Sequence, residues 1–528
     1  MMENAQHETT THVDKSNIRG PNNTLRIIFL TLCLAGLQFT WTVEMAYGTP
    51  YLLSLGLSKS NMSLVWIAGP LSGLIMQPVV GVISDSCKSK WGRRRPFLVG
   101  GSIIVVLSLL VIGWTREITH LLTRSDSGSL FKTVSIVIAI ASIYVLDFSV
   151  NCVQASCRAL IVDALPTSQQ EDGTAWAGRM VGLGSVAGYF MGYADLVKLF
   201  PFFGNTQLKV LCVFAVFVLM LCNFITCYAV RERVHVDDKV TGSVYQVFAD
   251  IFHHIWHLPA PIQTICNVQF FAWIGWFPFL FYSTTWVAEI FERNLTEEMQ
   301  DPVGQATRAG SFAFLIFSLI SLSASFIIPL IVTPSDPNAQ DTVWFGKKEY
   351  TLRFMRWKWL TLPRAWTASH FIFCISMMST LFVSDVTAAA IVIGCCGVSW
   401  AISMWAPFSL LGEYVSAQEA RHGIYQPVDT EEEIEMLGVG QTLPSPEQEE
   451  EEEEEGGEEK SESPAAGVLL GIHNMYIVLP QFLVTFLSSF IFRLFDTVDN
   501  KTDTIGLVLR IGAVMAGVAG FISHRTTT

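Results

Sequence analysis

The feature that most constrains this chain of 528 residues is a series of long apolar runs. A helix needs about 20 mostly apolar residues to cross the hydrocarbon core of a bilayer. Only 15% of the residues are charged, against roughly 25% in an average soluble domain. The sequence therefore predicts an all-α integral membrane protein. Its predicted spans are residues 26–50, 62–83, 97–114, 134–160, 176–198, 208–230, 264–290, 309–332, 366–384, 387–411, 465–491 and 505–523.

The twelve predicted spans fall into two groups of six, which predicts two helical halves. This arrangement is typical of the major facilitator fold, whose halves rock around a site near the bilayer midplane. A channel, a membrane-embedded enzyme or a sensor could have the same number of spans, so the arrangement alone does not define a function. The predicted segments are a cytoplasmic tail at 1–25, an N-terminal half at 26–230, a cytoplasmic linker at 231–262 and a C-terminal half at 263–523.

The distribution of lysine and arginine predicts the orientation of the spans. Cytoplasmic loops of membrane proteins carry an excess of these residues, and the loops after the second and eighth spans are rich in them. The loop at 115–132, nominally external, is an exception because it holds three such residues. We predict a multi-pass protein with both termini in the cytoplasm, in the plasma membrane or, alternatively, the vacuolar membrane. The glycosylation sequons at Asn294 and Asn500 then lie outside.

An acidic segment lies between the tenth and eleventh spans. Residues 429–462 contain sixteen acidic residues and one basic residue, so the negative net charge of the chain belongs to this segment. Like charges repel, which predicts a disordered cytoplasmic loop at 412–464. The loop is a candidate docking segment for a regulatory partner. The chain has no basic patch with interleaved aromatic residues, so we predict no nucleic-acid partner.

Four polar residues of the fourth span lie on one helical face. Asp147, Asn151, Gln154 and Arg158 are spaced at i, i+4, i+7 and i+11, and eleven residues rise about 16.5 Å along a helix. Ionisable side chains inside a membrane are costly and mark cavities or partners. A carboxylate in a low-dielectric cavity can carry a proton near neutral pH. The stripe predicts a site for substrate and proton, although Arg158 could instead extend to the membrane surface.

Two further spans carry candidate substrate-binding residues. Trp41 and Glu44 of the first span share a face, and an aromatic ring beside a carboxylate suits a sugar. Trp273 and Trp276 of the seventh span precede Pro278, which predicts a kink or break in that helix. Packing inside the bundle is the alternative role for each of these aromatic residues.

A cluster of charged residues flanks the second cytoplasmic loop. Asp85 ends the second span, Arg93, Arg94 and Arg95 precede the third, and Asp163 lies at the end of the fourth. Paired charges at this position predict a cytoplasmic gate. Determination of membrane topology is a second role for the same arginines.

The sequence predicts neither a catalytic nor a metal site. The eleven cysteines lie mostly in apolar runs, no CxxC pair or histidine cluster gives the spacing of metal ligands, and no nucleophile–base pair occurs. We therefore predict that the protein is not an enzyme, has no catalytic or metal-binding residues and uses no cofactor.

Several motifs resemble those of the sucrose transporters in the glycoside–pentoside–hexuronide branch of the major facilitator superfamily. They occur in the expected order between residues 36 and 523. The resemblance implies that Asp147 binds the proton and that Arg158 is its essential partner in coupling or substrate binding. Glu44 replaces a neutral glutamine of plant members, which brings the chain closer to the animal and fungal branches. The resemblance as a whole places it with the fungal α-glucoside and sucrose permeases. The similar segments are residues 84–97, 146–163, 276–280, 471–474 and 480–481.

The resemblance implies a proton-coupled symporter that imports sucrose, maltose or related α-glucosides. Its partners would be the disaccharide, the proton and the lipid bilayer, with the proton gradient as the source of energy. Glu44, Asp147 and Arg158 are the predicted coupling residues. The alternatives are an uncoupled or organellar sugar carrier and a non-transporting sugar sensor whose output is the acidic loop.

Overall fold

The computed structural model consists almost entirely of long helices, which we number α1 to α15. The N-terminal half holds α1 Asn23–Ser54, α2 Lys59–Val65, α3 Ala68–Asp85, α4 Arg95–Gly113, α5 Thr115–Thr123, α6 Ser129–Ala164, α7 Gln170–Tyr193, α8 Leu196–Leu199 and α9 Gln207–Ala229. The C-terminal half holds α10 Ala260–Arg293, α11 Pro302–Ile331, α12 Leu362–Met378, α13 Val386–Arg421, α14 Ala466–Phe495 and α15 Thr504–His524. The structure describes residues 17–85, 87–166, 169–232, 245, 249, 252–256, 258–294, 302–333, 342–345, 348–351, 357–421, 466–495 and 503–525.

Eleven stretches of helix in this described part are long and apolar enough to cross a membrane. The predicted all-α membrane architecture is therefore confirmed. The remaining long helix, α7, corresponds to the fifth predicted span, holds three charged residues and is not among the eleven. It packs between α1 and α11. Because α7 does not meet this criterion, the total of twelve spans stays a prediction.

Two helices differ from their predicted ends. Helix α1 extends beyond residue 50, the predicted end of the first span, because it continues through Pro50 to Ser54. Proline removes one backbone donor, and membrane helices tolerate this loss where neighbouring groups satisfy the backbone. The fifth span was predicted to reach residue 198, but α7 ends at Tyr193 and the Asp195 side chain then caps the short helix α8.

The second predicted span is divided into two helices. Helix α2 ends at Val65 and α3 begins at Ala68, with Trp66 and Ile67 between them. Pro70 lies in the first turn of α3, where its missing N–H would have no partner in any case. Pro278, by contrast, lies inside α10, which runs unbroken from Ala260 to Arg293.

Small residues allow the helices to approach one another closely. A Cβ atom at Gly184 of α7 would lie 2.4 Å from the carbonyl oxygen of Ala35 in α1, and one at Gly310 of α11 would lie 2.4 Å from that of Thr284 in α10. Backbone contacts of this kind are typical of helix packing in membranes. The two halves meet where α7 packs against α11, where α2 and α3 pack against α14, and where α1 packs against α10.

Two small antiparallel sheets lie outside the helices. Asn17–Ile18 (β1) pairs with Val230–Arg231 (β2), which joins the segment before α1 to the start of the linker. Thr342–Phe345 (β3) pairs with Lys348–Thr351 (β4) between α11 and α12. Helix α13 runs to Arg421, past the predicted start of the acidic loop at 412, and residues 422–465 lie outside the described residues.

Candidate functional site

The polar stripe of the fourth span lies on the continuous helix α6. Asp147 and Asn151 are buried, with exposed fractions of 2% and 5%. The Asn151 amide donates to Ser72 Oγ of α3 at 2.9 Å and to the backbone carbonyl of Asp147 at 3.0 Å. Asp147 Oδ2 has no hydrogen-bond partner among the described residues. Asn151 therefore joins α6 to α3, while one oxygen of the Asp147 carboxyl is left without a hydrogen-bond partner in the described part of the chain.

Glu44 of α1 lies inside the same half of the protein. Its side chain is buried, and neither carboxyl oxygen has a hydrogen-bond partner within the described part of the chain. Asp147 is close enough to interact electrostatically with it. Two carboxylates in one dry region repel each other, so a proton on either of them stabilises the pair. The structure thus brings together two of the three predicted coupling residues.

A small cavity of about 20 Å³ adjoins Glu44 in the N-terminal half. The cavity is lined mainly by apolar side chains of α1, α4, α6 and α9 and includes Gly48. Glu44 therefore faces the interior of the N-terminal half. Trp41 is half-buried and does not line this cavity, and its role beside Glu44 in binding a sugar stays a prediction.

The rest of the stripe extends from the buried acid toward solvent. Gln154 is half-buried and Arg158 is exposed. The four predicted residues therefore run along one helix from Asp147, which is shielded from water, to Arg158, which is not.

The tryptophans of the seventh span occupy two different environments. Trp276 is 1% exposed and packs against Phe373 of α12 at a ring distance of 4.2 Å. Trp273 is half-buried and meets Trp400 of α13 edge to face at 6.2 Å. Trp276 thus lies in the core of the C-terminal half, whereas Trp273 borders the less buried face. A role in substrate binding stays a prediction for both.

The sequence analysis missed a buried polar pair in the C-terminal half. Gln269 of α10 and His473 of α14 approach to 3.3 Å between their side-chain nitrogens, and both are almost fully buried. Gln269 lies one turn before Trp273, and His473 lies in the segment 471–474 that carries part of the family resemblance. Attention to polar residues beside these two motifs would have identified the pair.

The predicted cytoplasmic gate residues form a compact cluster of charges. Arg93 donates to Asp163 through two nitrogens at 2.6 and 3.0 Å, and Arg94 Nε donates to the same carboxylate at 2.8 Å. Arg94 is buried and also donates to Ser84 Oγ. The end of the bundle that holds Arg93, Arg94 and Arg95 is called the arginine end below. The side chain of Asp85 lies outside the described residues.

Glu232, which the sequence analysis did not identify, completes this cluster. Its carboxylate accepts from the backbone N–H groups of Arg94 and Arg95 at 2.8 and 3.1 Å. It therefore caps the first turn of α4, where a negative charge is favourable. Burial raises the pKa of Glu232, although these N–H donors oppose the shift. The Arg95 side chain donates to the carbonyl of Val230 at 3.0 Å, so the start of the linker is held on the cluster.

These charge pairs lie within the N-terminal half. Asp163 belongs to α6, Arg94 adjoins α4 and Glu232 follows α9. The contacts described here do not join the two halves, so the role of the cluster in closing the cytoplasmic side stays a prediction.

Comparisons with known proteins identify the relatives of this chain. A family model described as MFS/sugar transport protein matches residues 32–254. The chain is 35% identical to the general alpha-glucoside permease of Schizosaccharomyces pombe, over 94% of this chain and 93% of the permease. It is 28% identical to a sucrose transport protein of Oryza sativa subsp. japonica, over 68% of this chain and 66% of that protein.

The solved structure of a D-xylose-proton symporter has a similar fold. Its TM-score is 0.56 at 14% sequence identity, and the match covers 94% of this chain and 97% of that chain. Identity this low shows the fold alone.

The fold and the buried polar residues define a membrane transporter of the major facilitator superfamily. The alpha-glucoside permease is similar over nearly the full length of both chains, and the family model matches most of the N-terminal half. The protein therefore belongs to the MFS sugar transport family. Its relatives are permeases and transporters, and it is a transporter rather than an enzyme.

Proposed function

We propose that this protein is a proton-coupled symporter that imports sucrose, maltose or related α-glucosides by alternating access. The observation that carries the proposal is the buried Asp147 carboxyl, which has an unpartnered oxygen and lies within electrostatic reach of Glu44. The printed names of the relatives, an alpha-glucoside permease and a sucrose transport protein, support the substrate class.

In this mechanism a proton from outside neutralises Asp147 and relieves its repulsion with Glu44. The singly protonated pair then permits the disaccharide to bind between the halves. Asn151, Gln154 and Arg158 of the same stripe supply donors and acceptors for its hydroxyl groups. Release of sugar and proton on the cytoplasmic side resets the carrier. The proton gradient is the source of energy, and no bound cofactor is required.

The membrane potential sets the size of the expected accumulation. One proton carried down 100 mV supplies about 2.3 kcal/mol, which corresponds to nearly fiftyfold accumulation of the sugar. The proposed location is the plasma membrane, with both termini in the cytoplasm.

Uptake of radiolabelled sugar tests this proposal directly. We expect cells that lack disaccharide transport, when they express this protein, to take up sucrose or maltose faster at pH 5 than at pH 7.5. An uncoupler should abolish the accumulation because it removes the gradient. Accumulation that survives the uncoupler, or surface expression without uptake of either sugar, would contradict the proposal. The ratio of the two sugars would identify the preferred substrate.

Deletion of residues 429–462 separates a carrier from a sensor. Nearly half of the residues in this segment are acidic. The segment is not next to any predicted site residue in the sequence. We expect the deletion variant to keep its transport rate within about twofold, since the proposed site lies in the helices. The sensor would be favoured if neither the wild-type protein nor the deletion variant transported sugar and the deletion abolished the cellular response to sugar. A regulatory partner of the segment would change the transport rate in cells but not in purified vesicles.

A further inference from the structure

The two halves are joined by polar contacts at the end of the bundle opposite the arginine end. Helix α3 ends at the arginine end, so α2, which precedes it, lies at the opposite end. Helix α6 reaches the arginine end at Asp163, and α7 then returns to finish at Tyr193 at the opposite end. The orientation predicted from the basic loops makes this opposite end external.

The first group of contacts joins α2 to the C-terminal half. Lys59 Nζ lies 2.6 Å from Glu289 Oε1 of α10. The adjacent Ser60 and the Ser489 of α14 lie 3.0 Å apart between their hydroxyl oxygens, and each hydroxyl also contacts the other residue's carbonyl at 3.0 or 3.1 Å. These contacts hold α2 against both α10 and α14.

The second group joins the end of α7 to α11. Arg308 Nη1 lies 3.1 Å from Asp195 Oδ2, and Arg308 Nε donates to the carbonyl of Tyr193 at 2.8 Å. Hydrogen bonding from Lys198, together with the charge of Arg308, holds the pKa of Asp195 below its usual value. Because the pKa of Asp195 is lowered, its carboxylate is protonated, and the Asp195–Arg308 ion pair is lost, only at a pH below the usual pKa of an aspartate. Asp195 therefore stays ionised at pH 5.

A buried aromatic contact lies between α1, α2 and α10 at the same end. Thr49 Oγ1 donates to the carbonyl of Phe281 at 3.2 Å and accepts from the indole N–H of Trp66 at 3.1 Å. The Trp66 and Phe281 rings lie 4.7 Å apart. Thr49 and Trp66 are fully buried, so this contact blocks access to the space between α1 and α10 from the opposite end.

We propose that the ion pairs Lys59–Glu289 and Asp195–Arg308, with the Trp66–Phe281 contact beside them, form the external gate of this carrier. The inference rests on the proposed function in assuming alternating access and cytoplasmic termini; it does not depend on the sugar or on proton coupling. The structure is the state in which this gate is closed. Opening the protein to the outside breaks both ion pairs, because each joins one half to the other.

The strength of the ion pairs suits a gate that opens in every cycle. All four side chains are partly exposed, with exposed fractions between 18% and 30%. Ion pairs that water can reach change an equilibrium by up to about fivefold each. The gate can therefore open without a large barrier, and removal of one pair should shift the carrier measurably toward the outward-open state.

A disulfide across the gate tests the predicted proximity and motion. In the double variant Ser60→Cys/Ser489→Cys, oxidation by copper phenanthroline should form a disulfide between the halves. A protease site inserted between residues 429 and 462 allows the chain to be cut between the two cysteines. The two fragments then stay together on a non-reducing gel only if the disulfide has formed. We expect cross-linking to reduce sugar flux at least tenfold and a reductant to restore it. The matched control is Thr367→Cys/Ser523→Cys, whose hydroxyl oxygens lie 2.7 Å apart within the C-terminal half. Its disulfide should leave flux unchanged.

Thiol labelling tests the two ion pairs. Thr49→Cys places a reporter within the buried contact of the gate. A membrane-impermeant thiol reagent is added outside intact cells, with the wild-type protein as the blank. We expect Lys59→Gln or Arg308→Gln to raise the labelling rate by about twofold to fivefold, and the two together by about tenfold. The matched controls are Arg293→Gln and Lys198→Gln, which remove the partners of Glu289 and Asp195 that lie within the same half. These should leave labelling unchanged.

The outcomes distinguish a wrong gate from a wrong function. If Ser60→Cys/Ser489→Cys fails to cross-link while the control pair does, or if flux continues after cross-linking, the proposed gate is wrong. Equal labelling in the ion-pair variants and their controls also overturns it, even where uptake is acid-stimulated. Labelling that rises as expected in a protein that takes up neither sugar supports the gate and rejects only the proposed substrate.

Discussion

Asp147→Asn is expected to abolish accumulation of the disaccharide while leaving exchange of sugar across the membrane intact. Asparagine has nearly the same shape as aspartate but cannot take up and release a proton. The carrier would then follow only the sugar gradient, and the nearly fiftyfold accumulation available from 100 mV would fall to about onefold. The measurement is steady-state accumulation of labelled sugar at pH 5, followed by counterflow in sugar-loaded vesicles.

The controls for this variant test whether the loss of accumulation is specific to a buried carboxyl group. Asp172 of α7 is exposed, so Asp172→Asn should accumulate sugar normally. Glu44→Gln tests the second member of the buried pair. If Glu44→Gln loses accumulation while Asp147→Asn retains it, the proton is carried by Glu44 and our assignment of Asp147 is incorrect.

Arg94→Met is expected to lower the melting temperature of the purified protein by several degrees. Arg94 is buried and donates to Asp163 and Ser84, so its removal takes a buried charged donor away from both acceptors, although Arg93 still binds Asp163. A hydrogen bond to a charged group contributes about 1.5–3 kcal/mol to stability, and Arg94 makes such bonds in a buried position. Unfolding can be followed with a thiol-reactive dye, because several cysteines, including Cys33, Cys157 and Cys212, are buried in the folded protein.

Arg93→Met is the matched comparison for this experiment. Arg93 binds the same Asp163 carboxylate, but its side chain is 28% exposed, and water can replace part of what is lost. Pairs that water reaches are worth about 0.2–1 kcal/mol, so the shift in melting temperature should be several times smaller. Equal shifts in melting temperature for Arg94→Met and Arg93→Met would show that burial does not determine how much each arginine stabilises the protein.

The helices of this protein were largely predictable from its sequence. Whether 20 consecutive residues can cross a bilayer depends on their own apolarity, which is a local property. The positions of Asp147, Asn151, Gln154 and Arg158 on one face follow equally from the geometry of a single helix. The prediction was least accurate where charge or proline interrupts a run, as at α7 and at Pro50 in α1.

The partners of these residues could not be predicted in the same way. Glu232 caps α4 from more than 130 residues away, and Gln269 meets His473 across about 200 residues. Nothing in the local sequence distinguishes Glu232 from the other acidic residues of the chain. Its role depends on where the end of α9 lies relative to the start of α4.

The sequence by itself determined that the chain is a helical membrane protein in two halves and that one helix carries a polar stripe. These properties follow from apolarity and helical spacing, which act over a few turns. Only the tertiary structure decided that Glu44 lies near Asp147, that the arginines pair within one half, and that Lys59 and Arg308 reach across to Glu289 and Asp195. These contacts depend on how distant helices pack, and those of Lys59 and Arg308 form only when the two halves meet.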